Sequence, residues 1–405
     1  MKKLLQVNST ANSGSTGRIA EQIGQLAINA GWDSYIAYGR SSNVSKSNLV
    51  RVGGNTNGFI HFLSNIMLDN HGLTSVKATK AFIERIKAIS PDIIHLHNIH
   101  GYYINYELLF DYFSAADIPV VWTLHDCWAY TGHCSYYSDI DCQKWQTNCK
   151  DCPKKHNYPK SLLLDRSLRN FRKKKACFNT VNNLTLVPVS HWLEEEVKKS
   201  FLKENHIRCI LNGVDVNRFK PSGCDPSARD QYGLKDKKVL LGVATAWGPR
   251  KGWRDYIRLS QELPNDYKIV MVGVTEKQAK ELPENILAIR RTESVEQLAD
   301  LYSMADVVLN LSDEESFGLT SAEGFACGTP SIVYNCTASP ELITPNTGIV
   351  IEKGDRKALV EAIITITSKG KEYYSYNCRN RAIECYDKNK NYQQYIELYN
   401  ELLYL

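Results

Sequence analysis

The sequence predicts an α/β protein of two Rossmann-like, doubly wound parallel-sheet domains, and three observations lead there. About ten short Val/Ile/Leu-rich runs recur along the 405 residues. Segments with apolar residues at helical spacing separate most of them. The runs are continuously apolar rather than alternating, as expected of strands buried on both faces in helix-covered parallel sheets. They form two groups, divided near 205–237 by the turn residues Asn212-Gly213, Pro221, Gly223 and Pro226. A chain of this length can give each of two domains a sizeable core.

In the first group KLLQVN (3–8) reads as a buried strand. It enters the small-residue loop NSGSTG, and a helix follows from Arg18 to about Ala30, with Ile19, Ile23, Leu26 and Ala27 on one face. SYIAYG (34–39) is a second strand, and a helical region covers about Phe59 to Ile89 with a break near Gly72. DIIHLH (92–97), PVVWTLHD (119–126) and LTLVPVS (184–190) complete the group, with a helix of about 105–116 before the second of these. Ser190 is placed to cap the helix HWLEEEVKKSF. The second group is KVLLGVA (238–244), YKIVMVG (267–273), ILAIRR (286–291), DVVLNLS (306–312) and SIVY (331–334). Ser294 with Gln297 marks a capping-box helix start, and the tail from about Tyr373 is helical and tyrosine-rich. The expected domains are 1–208, carrying a Cys-rich insert at 127–153, then 209–385, with 386–405 a C-terminal helix that packs back on the first domain.

Composition narrows the function classes. Hydrophobic residues at 43% and charged residues at 23% are ordinary for a folded soluble chain, which excludes disordered and fibrous classes. The formal charge of +5 is too mild for a nucleic-acid binder. No apolar run is long enough to span a bilayer, and MKKLLQVNST lacks the apolar stretch of a signal peptide, so the expected address is cytoplasmic, at the inner membrane face if at any membrane. Twelve cysteines in such a chain argue for thiols or metal rather than disulfides.

In open α/β sheets ligands bind beyond the carboxyl ends of the strands, and DEESFGLTSAEGFACGTPSIV (313–333) starts just after one. Ser316-Phe317-Gly318-Leu319 reads as the turn into a helix, where free amides and the positive dipole end suit an anion such as a diphosphate. Glu323, about one turn inside that helix, suits a pair of vicinal ribose hydroxyls. Glu315, before the turn, lies nearer to a leaving group or sugar. The plainer alternative is two acids that merely complement the helix dipole.

This Glu-to-Glu segment, with Phe-Gly-Leu inside it and ACGTP after it, resembles the signature of family-4 retaining glycosyltransferases, which have the GT-B fold around a cleft. ILNGVDVNRFKP (210–221), VPVSHWLEE (187–195), LADLYSMADVVLNLS (298–312) and TLHD (123–126) resemble the family's other landmarks in order and spacing. The resemblance implies that Glu323 binds the ribose of a nucleotide-sugar, that Phe317, Gly318 and Leu319 offer amides to its phosphates, that Glu315 contacts the donor sugar, and that His125 lies over that sugar. It departs from the family at two points. The arginine expected five positions before Lys251-Gly252 is Ala246, so Arg250 and Lys251 are assigned to the diphosphate. The N-terminal loop has Gly14-Ser15-Thr16-Gly17 in place of a Gly-Gly pair, and Gly17 is chosen as the glycine of close approach.

The implied donor is a UDP- or GDP-sugar, and the implied acceptor a glycan or lipid-linked intermediate of capsule, O-antigen or exopolysaccharide synthesis. Fixed cations and a helix start would stabilise the leaving group, so no catalytic cofactor or metal is expected. Asp139-Ile140-Asp141 has no strand before it and makes a poor metal-sugar site. A 2-epimerase or hydrolase of the same fold, or a non-catalytic partner of another transferase, are the competing readings.

Two features stand outside the family signature. CWAYTGHCSYYSDIDCQKWQTNCKDCP (127–153) sets Cys134 and Cys142 upstream of the C-x-x-C pair Cys149 and Cys152. Four thiolates suit structural zinc; disulfides and free thiols are the alternatives, His133 is a possible replacement ligand, and Cys127 belongs to the strand end. Some relatives that build bacterial surface polysaccharides carry a similar insert. The basic stretch 154–178 includes Leu164, Leu168 and Phe171 at helical spacing, which suggests a helix on an anionic membrane surface.

Overall fold

The computed structural model describes residues 1–222 and 226–404; Gly223, and the side chain of Pro226, lie outside the described residues. The chain divides into two compact units, Met1–Ile210 together with Tyr392–Leu405, and Leu211–Asn391.

The first unit runs β1 (Lys3–Asn8), α1 (Gly14–Asn29), β2 (Asp33–Tyr38), β3 (Asn48–Arg51), α2 (Asn55–Leu68), α3 (Val76–Ile89), β4 (Ile93–Leu96), α4 (Tyr106–Ala116), β5 (Val120–Leu124), α5 (Ser167–Phe178), β6 (Leu184–Pro188), α6 (His191–Lys199) and β7 (His206–Ile207). Among the described residues its seven strands are all parallel, in the order β3-β2-β1-β4-β5-β6-β7. The second unit runs α7 (Pro226–Gln231), β8 (Lys238–Val243), α8 (Trp253–Glu262), β9 (Tyr267–Val272), α9 (Glu276–Glu281), β10 (Ile286–Ile289), α10 (Val295–Met304), β11 (Val307–Asn310), α11 (Leu319–Ala326), β12 (Ser331–Tyr334), α12 (Ser339–Leu342), β13 (Gly348–Ile351), α13 (Arg356–Lys369) and α14 (Lys371–Cys385). Its six strands are parallel too, in the order β10-β9-β8-β11-β12-β13. In each sheet the winding reverses once, between β1 and β4 and between β8 and β11. Strands diverge in connection there and leave a crevice beyond their carboxyl ends, the usual ligand position of such sheets.

The last helix, α15 (Lys388–Tyr404), starts in the second unit and continues into the first. Tyr392, Tyr395, Ile396, Leu398 and Tyr399 share one buried cluster with Leu4, Ile19, Val121 and Val187. Thr123 Oγ1 donates to Tyr395 Oη at 2.9 Å, and Tyr399 Oη lies 2.6 Å from His95 Nδ1. Tyrosines suit this place because the ring adds apolar area while the hydroxyl finds a buried partner.

Three strands have no counterpart in the sequence reading, and all three are edges: β3, β7 and β13. An edge strand is covered less than a central one, so it need not be continuously apolar. β3 (NLVR) is largely exposed and β7 is two residues long. Helix α1 begins at Gly14 rather than Arg18. Ser190 does cap α6, accepting from Leu193 N at 3.2 Å. Ser294 Oγ accepts from Gln297 N at 3.1 Å, but Gln297 Oε1 takes the amide of Glu293 instead of Ser294, so the reciprocal half of the box is displaced by one residue.

The expected membrane-surface helix needs correction. Only 167–178 is helical, and its apolar stripe is core: Phe171 and Phe178 are buried, and the Phe178 ring lies 4.5 Å from Phe110 and 4.9 Å from Trp122. Leu164 is exposed but precedes the helix. Exposed apolar side chains lie instead on α2 (Phe59, Ile60, Phe62, Leu63, Met67 and Leu68) and at Leu162–Leu164. Segment 160–164 is strapped to α2 by Asn65 Nδ2 to Lys160 O and Leu162 N to Ile66 O, both 2.8 Å.

Candidate active site

In the second unit the loops that leave β8 and β11 meet beyond the crevice. Lys251 ends a short 3-10 turn, Pro249–Lys251, and its ammonium pairs with the Glu315 carboxylate. Arg250 Nη1 donates to Glu314 O at 2.8 Å, and Asp313 N donates to Arg250 O at 2.9 Å. Gly252 makes this approach possible: its φ is +71°, and a Cβ there would lie 2.3 Å from Leu311 O. Burial pushes the Glu315 carboxyl up, but the charges of Lys251 and Arg250 outweigh it and hold the group below its ordinary value, with Ser312 adding a hydrogen bond. The Glu315 amide donates to Thr337 Oγ1 at 2.8 Å, which fixes the loop from the β12 side.

Gly318 (φ +105°) turns the chain into α11, a conformation other residues rarely adopt. Phe317 is buried, its ring edge-on to Tyr386 at 5.6 Å. The first amides of a helix have no partner within it, so Leu319 and its successor present donors with the dipole behind them. Glu323 Oε2 accepts from Tyr302 Oη at 2.8 Å, which orients the carboxylate from α10. Below the turn, the buried Asn310 Nδ2 has no hydrogen-bond partner among the described residues and lies 3.6 Å from where a Gly318 Cβ would stand. The arrangement gathers two cations, helix-start amides, a buried amide and two carboxylates at one switch point, chemistry suited to a polyanion joined to a polyol.

In the first unit His125 follows β5 and is buried. Its Nε2 lies 3.1 Å from His97 Nδ1, the rings are stacked at 5.3 Å, and His97 Nε2 is 3.1 Å from Gln6 Oε1. Burial pushes His125 down to about 4, against an upward pull from Asp126, so the ring is neutral near pH 7. Asp126 Oδ1 accepts from Trp128 N at 2.9 Å. Its Oδ2 lies 3.0 Å from His100 Nε2, an ion-pair distance outside hydrogen-bond geometry. Burial raises the Asp126 carboxyl, but His100 and the Trp128 amide bring it below its ordinary value.

Sequence reasoning found His125 and missed His97, His100 and Gln6. The signal was available: HLHNIH (95–100) runs out of the end of β4 as TLHD (123–126) runs out of the end of the neighbouring β5. Gly17 sits within the first turn of α1, where a Cβ would be 2.6 Å from Thr10 Oγ1; Gly14, with φ +67°, has nothing within 4 Å. At Gly17 the missing Cβ lets the Thr10 loop close on α1, and Gly14 is the glycine of the loop with open space around it. Asp139 is engaged by Lys154, whose Nζ donates to it at 2.5 Å.

The chain resembles known proteins along nearly its whole length. A family model described as Glycosyltransferase Family 4 matches residues 17–218, and one described as Glycosyl transferases group 1 matches residues 225–384. The chain belongs to the family-4 glycosyltransferases. This glycosyltransferase is 22% identical over 418 residues to WcaC of Escherichia coli (strain K12), whose name assigns it to glycosyl transfer in colanic acid biosynthesis; the match covers 98% of this chain and all of WcaC. A GDP-mannose-dependent mannosyltransferase of Corynebacterium glutamicum is 27% identical over 198 residues, 45% of this chain and 52% of that protein. Among solved structures, the sucrose-phosphate synthase of Thermosynechococcus elongatus superposes with a TM-score of 0.72 at 18% identity, covering 99% of both chains. Anabaena HepE, solved with UDP and glucose, gives 0.67 at 16% identity over 99% of this chain and all of that one. These likenesses establish the GT-B fold for this glycosyltransferase. No helix among its described residues is long and apolar enough to cross a membrane.

Proposed function

We propose that this glycosyltransferase moves a hexose from a UDP- or GDP-sugar to a glycan or lipid-linked acceptor in bacterial surface polysaccharide synthesis, with retention of anomeric configuration. The end-to-end match to WcaC carries this reading. Glu323, oriented by Tyr302, accepts from the ribose hydroxyls. Lys251, Arg250 and the amides of Phe317, Gly318 and Leu319 take the diphosphate, and Glu315 contacts the sugar. His125, neutral near pH 7, can exchange a hydrogen bond with a sugar hydroxyl without placing a second cation beside the reacting carbon. In the transfer, the bond from the anomeric carbon to the phosphate oxygen breaks. The bond to the acceptor oxygen forms on the same face, and the acceptor proton passes to the departing phosphate. Fixed cations and amides stabilise the charge that develops there, so divalent metal is not required.

Incubation with a panel of UDP- and GDP-sugars and a lipid-linked acceptor, with EDTA present, tests the reading. Transfer with retained configuration is expected. Titration of the preferred nucleotide should show Glu323→Ala binding roughly 10-fold or more weakly, the loss of a hydrogen bond to a charged group. Epimerised or hydrolysed donor with no acceptor use, or activity that returns only with added Mg²⁺ or Mn²⁺, would overturn it.

The acceptor's membrane also has a proposed contact. Within 154–178 the exposed Leu162–Leu164, next to Lys160, adjoin the apolar residues of α2. An apolar patch with flanking lysine suits an anionic bilayer. Vesicles containing phosphatidylglycerol should sediment the protein, and Phe59→Glu/Leu163→Glu should leave it in the supernatant; equal sedimentation of the two would remove the patch from consideration.

A further inference from the structure

We propose that Cys134, Cys142, Cys149 and Cys152 bind one zinc ion as a tetrathiolate, and that this ion orders the loop beside His125. The site lies outside the donor machinery and does not depend on the identity of the sugar or acceptor. Between β5 and α5, residues 125–166 contain among the described residues no strand and no α-helix, only the 3-10 turns Trp128–Tyr130, Ser138–Ile140 and Lys144–Gln146. So long an irregular stretch in a compact domain needs a source of order. Its cysteines are not in disulfides.

The four cysteine side chains line a single cavity of about 10 Å³ whose wall includes His133 and Trp145. That is room for one small ion. The Cys134 and Cys152 thiols are already within hydrogen-bonding reach of each other, and Cys142 and Cys152 are both neighbours of Cys149. Cys127 is engaged elsewhere, with the hydroxyl of Tyr130. The aromatic rings of Tyr130, Tyr137 and Trp145 pack at 4.9 and 5.1 Å against one another and exclude water from one side.

Two buried groups near the cavity bear on what it can hold. Lys174 is 1% exposed. Its ammonium donates to the carbonyls of Trp128 at 2.5 Å and Thr131 at 3.1 Å, and stands 3.5 Å over the Trp128 ring. Its only hydrogen bonds among the described residues are to those two carbonyls, and burial pushes the ammonium down to about 7, with Asp126 and Asp69 too far to pair with it directly. A buried cation without an anion is costly, and a zinc tetrathiolate is doubly negative. His133 is 2% exposed; its Nδ1 lies 2.7 Å from Asp69 Oδ1, while its Nε2 has no hydrogen-bond partner among the described residues. Held by Asp69 at Nδ1, the ring can donate from Nε2 to a thiolate only as the imidazolium; as the neutral ring it presents a lone pair, the position of a metal ligand backed by a carboxylate.

Zinc–sulfur bonds of about 2.3 Å require the loop to contract on the ion. Among the described residues, the group whose ligand atoms already lie within 4.8 Å of one another is His191, Glu194 and Cys209, near the surface at α6. Binding at the four cysteines sends four thiol protons to solvent. The ion then anchors the Trp128 and Thr131 carbonyls through Lys174, and with them the turn whose Trp128 amide holds Asp126.

Elemental analysis of the full chain, purified in reductant without added metal, should give one zinc per chain. Exchange for cobalt in the wild-type protein should give the intense visible bands of a tetrahedral tetrathiolate, a readout that does not require any variant to fold. Cys149→Ser should lose the metal. Zinc well below one equivalent, with the four thiols alkylated as fast as in unfolded chain, overturns the site. A three-thiolate spectrum lost in His133→Ala overturns the ligand set by bringing the imidazole in. Zinc that survives Cys149→Ser but leaves with His191→Ala belongs to the α6 group and overturns the assignment.

Discussion

Lys251→Ala should lower turnover by about 10²–10³-fold, the usual cost of removing one preorganised partner of a developing charge. The side chain sits at the second unit's switch point, paired with Glu315. Its stability cost should be smaller, because Arg250 also acts on that carboxylate and remains in the variant. The loss also has a signature in pH. Glu315 is held below its ordinary value chiefly by Lys251 once burial is overcome. Without the lysine its folded value rises, so the acid limb of the kcat/KM profile moves to higher pH. Lys251→Arg should recover part of the rate and restore the acid limb. Steady-state rates and melting curves measured together decide the matter: intact turnover with a large fall in Tm would make Lys251 structural.

The second large effect is acid unfolding of the first unit. His61, His71, His95, His97 and His125 are buried there, and desolvation lowers all five, His61 and His125 to about 4 and the others well below the ordinary value. In the unfolded chain a histidine titrates near ~6.5. Between that value and the folded one, the unfolded state binds protons that the native state refuses. The native state is therefore fully favoured above about pH 6.5 and loses stability as pH falls toward 4. For His61 and His125 alone the loss by pH 4 is of order 3 kcal/mol each, against a total of roughly 5–15 kcal/mol for a typical domain. Asp126, lowered by His100, loses stabilisation in the acid direction as well. Tryptophan fluorescence followed from pH 7.5 to 4 should show Tm falling steeply below about 6.5. His125→Gln should move the transition to lower pH by removing one titrating ring. A flat Tm across this range would mean that the imidazoles take up protons in the folded state.

The central strands and most of the second unit's site were legible because their determinants are local. A continuously apolar run followed by a polar turn already places a strand end at a crevice, and Glu315, Gly318 and Glu323 all lie within one such turn and helix. Lys251 was legible through the resemblance of the Lys251-Gly252 pair to the family's; the structure adds that only glycine tolerates the approach of position 252 to Leu311. What escaped depends on distant residues. Tyr302 and Glu323 are brought together by α10 packing on α11, and His97 reaches Gln6 only through pairing of β1 with β4. The basic segment misled because helical periodicity is the same whether the apolar stripe meets lipid or, as for Phe171 and Phe178, a protein core. The edge strands β3 and β7 were hidden for the opposite reason, one being largely exposed and the other two residues long.

The tyrosines of α15 bear on when the protein can fold during its synthesis. Tyr392, Tyr395 and Tyr399 are part of the first unit's interior, and Tyr395 and Tyr399 satisfy Thr123 and His95 beneath the strand ends. A nascent chain that has emerged only through Ile210 therefore lacks a wall of its own core. At roughly 5–20 residues per second, the ribosome must complete all of Leu211–Asn391 before that wall arrives. The uninterrupted second unit can close first, although it is made later, while the first waits as an open sheet that chaperones can hold. Any stop codon upstream of Tyr392 would thus injure the part of the molecule that was translated earliest.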